Sequence, residues 1–375
     1  MGTRSSQGKV ESVTPSAYEW VIDARHDSSR QIYVRSVPCQ SESGVAVTER
    51  AVGRERDHVA DIVGQIVAAL RRGGVVYGRA LLSAPWGIAF ESRSIATIYV
   101  VIAGSYVLVP DGGQALHLAP GDVALLPSGA GHVVADTSGR PATTVRELFG
   151  ADLEELSATD LVIEGDGPET VLVCGAYLLE PAPQHPFIAS LPDVVHVTAD
   201  QMRGTSLAAA VQLLTTEVDH AGRGTPAVVA SLLDLLFTYT LRSWFLGRPD
   251  QLAGWAHALH DPAVGPALAL LHDDPAKPWT VEALAHAVGV PRARFSRRFT
   301  STTGHTPMEY LGIWRMTVAA RLLREGQAPL RQIARKVGYD SEFAFARAFK
   351  RIVGQAPGRY RAMHHRDAVL HGDDS

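Results

Sequence analysis

The chain carries one supersecondary unit twice. Leu284-Ala285, Val288-Gly289, Phe295, Arg297, Phe299, Gly304, Pro307 and Tyr310 return as Ile333-Ala334, Val337-Gly338, Phe345, Arg347, Phe349, Gly354, Pro357 and Tyr360, a period of about fifty residues with one extra residue in the second turn. Each copy reads as a helix, a glycine-containing tight turn and a second helix, the helix-turn-helix pattern. The stretch from about 262 to 363 is therefore expected to be a string of short helices.

In the second helix of each copy two phenylalanines stand four apart, share a face and can lock it onto its neighbours. The opposite face is left free. At about 100° per residue, that face holds Ala293, Arg297, Thr300 and Ser301 in the first copy, with Arg292 and Ser296 beside it. In the second it holds Phe343, Arg347, Lys350 and Arg351, flanked by Glu342 and Ala346. Arginine, serine, threonine and glutamate can read base edges in a major groove, and an exposed Phe343 could touch a thymine methyl. Arg294, Arg298, Lys350 and Arg351 are expected on phosphates. Between the copies, Pro307 to about Leu323 reads as one helix with a Tyr310, Leu311, Trp314, Val318, Leu322, Leu323 stripe, a strut roughly 25 Å long. A strut of that size could set two recognition helices near the spacing of successive major-groove segments.

Amphipathic arginine-rich helices are common in bundles, so a single copy would say little. The charge distribution adds the second argument. Residues 1–277 carry 19 Lys+Arg against 31 Asp+Glu, whereas 278–366 carry 16 against 5 and the last nine residues hold three acids, which hides a basic block inside a chain of net charge -4. Such a block is an electrostatic footprint for a polyanion, because neutralising phosphates releases counterions.

The rest of the chain has a different period. Residues 1–56 mix Ser, Gly, Arg and Glu around short apolar islands and are expected to be a poorly ordered extension. Asp57 to Arg72 has helical spacing (Ile62, Val63, Ile66, Val67, Leu70), with Gly73-Gly74 as its stop. Between 75 and 180 come eight short β-branched runs broken by Gly, Pro and Asp, the signature of a barrel or sandwich. After the Pro-rich PAPQHP, segments 205–218 and 226–246 return to helical spacing and could form a dimer interface. The longest apolar runs, such as Ser231 to Tyr239, fall short of the roughly 20 residues a membrane-spanning helix needs, and no signal peptide is evident, so the protein is expected in the cytoplasm. Two cysteines, Cys39 and Cys174, are too few for a disulfide framework or a four-cysteine zinc site.

From PWTVEALAHAVGV through RYR the C-terminal hundred residues resemble the DNA-binding domain of the AraC/XylS family of transcription regulators over their whole length. The resemblance implies that Arg292 to Thr303 and Ser341 to Ile352 are recognition helices, with Ala293, Ser296, Arg297, Glu342, Phe343, Ala346 and Arg347 at base-facing positions. Members often carry a larger or polar residue where Ala293 stands, so the first helix is expected to read fewer bases directly. Gly121 to His132 (GDVALLPSGAGH) fits the second cupin motif, and the flanking segments are similar to the cupin sensor found in a subgroup of such regulators. The first cupin motif, two histidines spaced by one residue plus a glutamate, is missing; the expected strand reads IATIYVVIAGSYVLV, with Tyr99 where a histidine would be plausible. His132 alone cannot make the three-ligand open site that metal catalysis needs, so neither metal nor cofactor nor catalytic residue is expected. Trp86, Phe90, Tyr99, Tyr106, Leu126 and His132 could line an apolar ligand cavity, or be core packing.

The expected architecture is multi-domain α+β. A cupin-like β-barrel with accessory helices (57–200) and a helical linker (201–261) precede an all-α double helix-turn-helix domain (262–363) and a tail (364–375). The expected function is sequence-specific regulation of transcription, activation rather than repression. Its partners would be double-stranded DNA, RNA polymerase, a small-molecule effector and a second copy of the chain. A cupin enzyme with a DNA-targeting appendage, or an architectural DNA-binding protein with a vestigial barrel, are the alternatives from other classes.

Overall fold

The structure, a computed structural model, describes residues 19–21, 33–35, 54–93, 95–150, 160–179, 185–220, 222–247 and 254–370. The chain divides into two units, Met1–Ala51 and Val52–Ser375. In the first, strands β1 (Glu19–Val21) and β2 (Tyr33–Arg35) pair antiparallel. The rest of the expected extension up to Val52 and Gly53, including Cys39, lies outside the described residues, as do 371–375.

The second unit opens with α1 (Arg54–Leu70), whose Ile62, Val63, Ile66, Val67 and Leu70 are buried at the expected helical spacing. It passes directly into β3 (Arg71–Ser83), so Gly73-Gly74 does not end the helix. The glycines stand instead in the strand, where the pairing with β12 (Glu169–Leu179) shifts register between Ala176 and Leu178. A bulge is a position where glycine is cheap, and the sequence signal for it is the same as for a helix stop.

The strands then run β4 (Gly87–Phe90), β5 (Ile95–Ala103), β6 (Tyr106–Pro110), β7 (Leu116–Leu118), β8 (Val123–Leu126) and β9 (His132–Ala135). After β10 (Thr143–Thr144), helix α2 (Val145–Phe149) and β11 (Asp160–Ile163), β12 leads to α3 (Pro186–Ala189) and β13 (Val195–Val197). Two sheets result, ordered β10-β4-β9-β6-β7 and β11-β3-β12-β5-β8-β13. Alternate residues of β5 face opposite ways. Tyr99 and Val101 enter the core between the sheets with Trp86, Tyr106, Leu108 and Leu126, while Ile98 and Val100 pack outward against the helical layer. All eight expected strands are present. β10, β11 and β13 are additional, each two to four residues long and too short to leave a period.

The helical layer comprises α1, α4 (Ser206–Asp219) and α5 (Thr225–Gly247). By length and composition α5 could cross a membrane, which the shorter run Ser231 to Tyr239 did not suggest. In this fold its Val229, Leu233, Leu236, Phe237, Leu241 and Phe245 are buried in the core, against α1, α4, β3, β8 and β13. Leu213 on α4 and Val228 and Leu235 on α5 stay exposed, Leu213 at 58%.

Next come α6 (Trp255–His260), α7 (Val264–Asp273), α8 (Val281–Ala287), α9 (Arg292–Thr303), α10 (Pro307–Glu325), α11 (Leu330–Lys336), α12 (Glu342–Val353) and α13 (Pro357–Leu370). Helix α13 runs past 363, where the domain was expected to end. The helical layer and the first helix-turn-helix unit share one core: α1 touches α6, α7 and α10. His272 on α7 stacks on Trp314 of α10 at 3.9 Å, and its Nδ1 lies 3.2 Å from Gln65 Oε1 on α1. Arg324 donates to the carbonyl of Ala69 at 2.7 Å. The second helix-turn-helix unit has its own core of Ile333, Val337, Phe345, Phe349 and Tyr360 against the C-terminal half of α10.

Candidate functional site

Each helix-turn-helix unit is held by a positive-φ turn glycine and two buried phenylalanines, with side-chain caps at different helices. Thr280 caps α8 by accepting from the Ala283 amide, and Gly289 makes the turn at φ +68°. Phe295 and Phe299 of α9 are fully buried, and Thr306 with Glu309 closes a capping box on α10, whose first residue is Pro307. In the second unit Ser341 caps α12, and Phe345 and Phe349 are fully buried, Phe349 edge-on to Tyr360 at 5.4 Å. The turn glycine there is doubly required: Gly338 has φ +78°, and a Cβ would sit 2.6 Å from the Arg315 guanidinium and 2.7 Å from the Ala276 carbonyl.

With the phenylalanines inward, both second helices present polar outer faces. On α9, Arg292, Ala293, Arg294 and Arg297 are exposed and Ser296 and Thr300 half-buried. Arg292 pairs with Glu282 at 2.7 Å. On α12, Glu342, Phe343, Arg347, Lys350 and Arg351 are exposed, Ala346 half-buried, and Phe343 keeps 83% of its surface in solvent, an unusual state for a large apolar side chain. Arg298, expected on a phosphate, has a protein partner here. It lies on the flank of the buried face and pairs with Asp261, whose side chain is 1% exposed.

The barrel holds a cavity of about 140 Å³ bordered by Phe90, Glu91, Arg93, Thr97, His132, Thr144 and Arg146. Of the six residues expected to line it, only Phe90 and His132 do. Tyr99, Tyr106 and Leu126 are strand residues and Trp86 immediately precedes β4; all four are packed between the sheets. An aromatic row nevertheless leads inward from the cavity. Phe90 stacks on His132 at 4.8 Å, His132 meets Tyr99 at 5.6 Å, Tyr99 meets Tyr106 at 6.4 Å and Tyr106 meets Trp86 at 6.3 Å. At its inner end, Trp86 Nε1 and the Tyr106 hydroxyl are buried without a hydrogen-bond partner. Burial also pushes the Cys174 thiol up to about 11, which keeps it neutral and poorly nucleophilic.

A cupin family model matches residues 61–246 and a helix-turn-helix domain model matches 284–363. Over 286 residues the chain is 36% identical to a protein of Streptomyces antibioticus named an AraC-like transcription regulator, covering 74% of this chain and 90% of that one. The chain belongs to the AraC family of transcription regulators. It is also 26% identical over 292 residues to the RCS-specific HTH-type transcriptional activator RclR of Escherichia coli, covering 77% of this chain and 92% of that protein. Among solved structures it is similar to the DNA-binding domain of AdpA, a global transcriptional factor, in complex with a target DNA, at 32% identity over 30% of this chain and 99% of that one, TM-score 0.28. This AraC-family protein is thus a DNA-binding transcription regulator with a cupin-like N-terminal region.

The cupin part of this AraC-family chain does not fit a metal. Both ring nitrogens of His132 are engaged: Nδ1 with the Ala130 carbonyl at 3.0 Å and Nε2 with the Tyr99 hydroxyl at 2.7 Å. Among the described residues no three His, Cys, Asp or Glu side chains are grouped to hold an ion. Desolvation lowers the His132 pKa to about 4, so the ring is neutral at pH 7, donating from Nδ1 and accepting at Nε2. Tyr99→Phe leaves that buried acceptor unpaired, and denaturant unfolding should register a loss of about 1–3 kcal/mol; an unchanged midpoint would mean the bond carries no weight.

The sequence reading missed Asp261, Arg93, Thr97 and Arg146. Asp261 had a usable signal, an Asp-Pro pair immediately before a helical segment. The cavity residues had none, because they come from loops and strand ends far apart in the chain.

Proposed function

We propose that this regulator is a ligand-responsive activator that reads its operator with both α9 and α12, set in successive major-groove segments, and that it carries out no catalysis. The observation that carries this reading is the duplicated outward face: Arg292, Ala293, Ser296, Arg297 and Thr300 on one helix, Glu342, Phe343, Ala346 and Arg347 on the other, on a basic background. Arg294, Lys350 and Arg351 are the phosphate-contacting set. The 19-residue α10 between the units is about 28 Å long, close to one turn of DNA.

The barrel is the effector site in this reading. The cavity bordered by Phe90 and His132, together with the unpartnered Trp86 and Tyr106 groups behind it, supports a small molecule with an apolar body and a hydrogen-bonding group. Its binding shifts regulation only through different affinities for two arrangements of the chain. Exposed Leu213, Val228 and Leu235 support a homodimer through α4 and α5. Activation, in line with the name of the Escherichia coli relative, implies contact with RNA polymerase, and the cytoplasm is where that contact is made.

Binding-site selection with the full-length protein at a stated salt concentration tests the reading. One asymmetric motif of about two helical turns, or its doubling if the dimer binds, supports it. Binding that follows salt alone and selects no motif refutes it. On the selected site Arg347→Ala should cost roughly 1–3 kcal/mol with little change on random DNA, as for a bidentate guanine contact. Equal losses on both DNAs would reassign Arg347 to a phosphate.

A further inference from the structure

Arg298 and Arg297 are neighbours in sequence with different surroundings. Phe295 and Phe299 seat α9 in the core, and Arg297 points away from them into solvent. One residue on, Arg298 is turned by about 100° toward the buried side. Its guanidinium Nε bonds the Asp261 carboxylate. Asp261 is itself held: its Oδ1 accepts from the Ala263 and Val264 amides at 2.9 and 3.0 Å, at the start of α7. Burial pushes the Asp261 carboxyl up, but the two amides and Arg298 outweigh it and hold it below the usual carboxylate range. The segment just before Asp261 grips α9 a second time, where Trp255 Nε1 donates to the Thr303 carbonyl at 3.1 Å.

The repeat offers an internal comparison. Arg297 corresponds to Arg347, so Arg298 corresponds to Ala348, which is buried and carries no charge. The second unit therefore lacks this tie. Two buried rings fix how deeply a helix sits but leave it some freedom to roll about its own axis. Base-edge reading tolerates only fractions of an ångström and about 10–20° of misplacement.

We propose that Asp261 is a positioning residue for DNA reading: anchored at the start of α7, it holds Arg298 and with it the roll of α9, so that Arg298 serves the first recognition helix through Asp261 and not through a phosphate. The proposal rests on the reading that α9 contacts bases. The region from Trp255 to Asp261, which follows α5, then sets the aim of the first unit, while the second is aimed by its own core alone.

The test uses the full-length protein on its selected site, with affinity measured across a salt series for wild type, Arg297→Ala, Arg298→Ala and Asp261→Asn. Asparagine keeps an oxygen for the two amides and removes only the charge. Each base position in the site is also substituted in turn. The expected result is that Arg298→Ala and Asp261→Asn each weaken binding on the order of tenfold, and that the double variant is no worse than either, as for residues acting as one unit. The salt slope stays at the wild-type value, and discrimination is lost only at the base positions that Arg297→Ala also affects. Retained discrimination at the remaining positions shows that the variants are folded and that the second unit still reads DNA. If Arg298→Ala instead makes the slope shallower by about 0.9, the value for one phosphate, while Asp261→Asn binds as wild type, the positioning role is overturned and the two-helix reading survives. If none of the three substitutions alters discrimination at any base, the reading of α9 as a recognition helix fails and the proposal falls with it.

Discussion

Lowering the pH from 7 to 5 is expected to remove about 2 kcal/mol of folding stability for each of two buried histidines, His132 and His185. Desolvation lowers His132 to about 4; desolvation, followed by the nearby His305, lowers His185 to about 3. In the unfolded chain both titrate near the ordinary value of about 6.5. Between that value and the folded one, the unfolded state binds more protons than the native state, so stability is fully present above about pH 6.5 and is lost as pH falls. His272, held well below its ordinary value by desolvation and then by His185, acts in the same direction. Asp261 adds a loss of the same sign at lower pH, beginning as pH falls through the ordinary carboxylate value and completing below the depressed folded one. His185→Asn isolates one contribution: it keeps an acceptor for the Phe187 amide, which His185 Nδ1 now serves at 3.3 Å, and cannot ionise. Denaturant unfolding at pH 7, 6 and 5 should show this variant losing about 2 kcal/mol less than wild type over that interval. Parallel curves for the two proteins would rule out the buried ring as the source.

Two phenylalanines of α12 should give opposite profiles. Phe349 is fully buried against Phe345 and Tyr360, and Phe349→Ala should destabilise the second unit by about 3–5 kcal/mol, the cost of an emptied aromatic site. Because that unit has its own core, the loss should emerge in thermal unfolding as an early transition with the first unit still folded. Phe343, six positions earlier and 83% exposed, packs against nothing that holds the fold. Phe343→Ala should move stability by no more than about 0.5 kcal/mol while weakening binding to sites with a thymine beneath the start of α12. A stability loss in Phe343→Ala comparable to that of Phe349→Ala would contradict the assignment of inner and outer faces.

What the sequence made legible follows from how local each signal is. The two units could be read in outline because their turn glycines and paired phenylalanines lie within a dozen residues of one another. The strands of the barrel were readable for the same reason. Gly73-Gly74 misled because one residue type serves a helix stop and a strand bulge equally well, and only the partner strand decides between them. In α5, which the sequence marked as a helical span, Leu233, Phe237 and Leu241 are buried and Leu235 is exposed. A helix apolar on most of its circumference gives periodicity too little contrast to choose a side. The Arg298–Asp261 pair was not legible because composition made Arg298 one basic residue among many. Its partner stands 37 positions away, across what looked like a domain boundary. The cavity was located in the right barrel but with the wrong walls, since Arg93, Thr97, Thr144 and Arg146 meet only after the sheets close.

The shared core around α1, α7 and α10 bears on how such a regulator could be given a new address in a genome. Exchanging the C-terminal hundred residues between relatives at the position where composition changes would cut through His272–Trp314 and Arg324–Ala69 and set one parent's α1 against the other's α10. The units that can be traded without disturbing the interior are smaller: the handful of outward side chains on α9 and α12. Retargeting is therefore a problem of repainting two helix faces, and a transplanted domain would bring a mismatched seam with it.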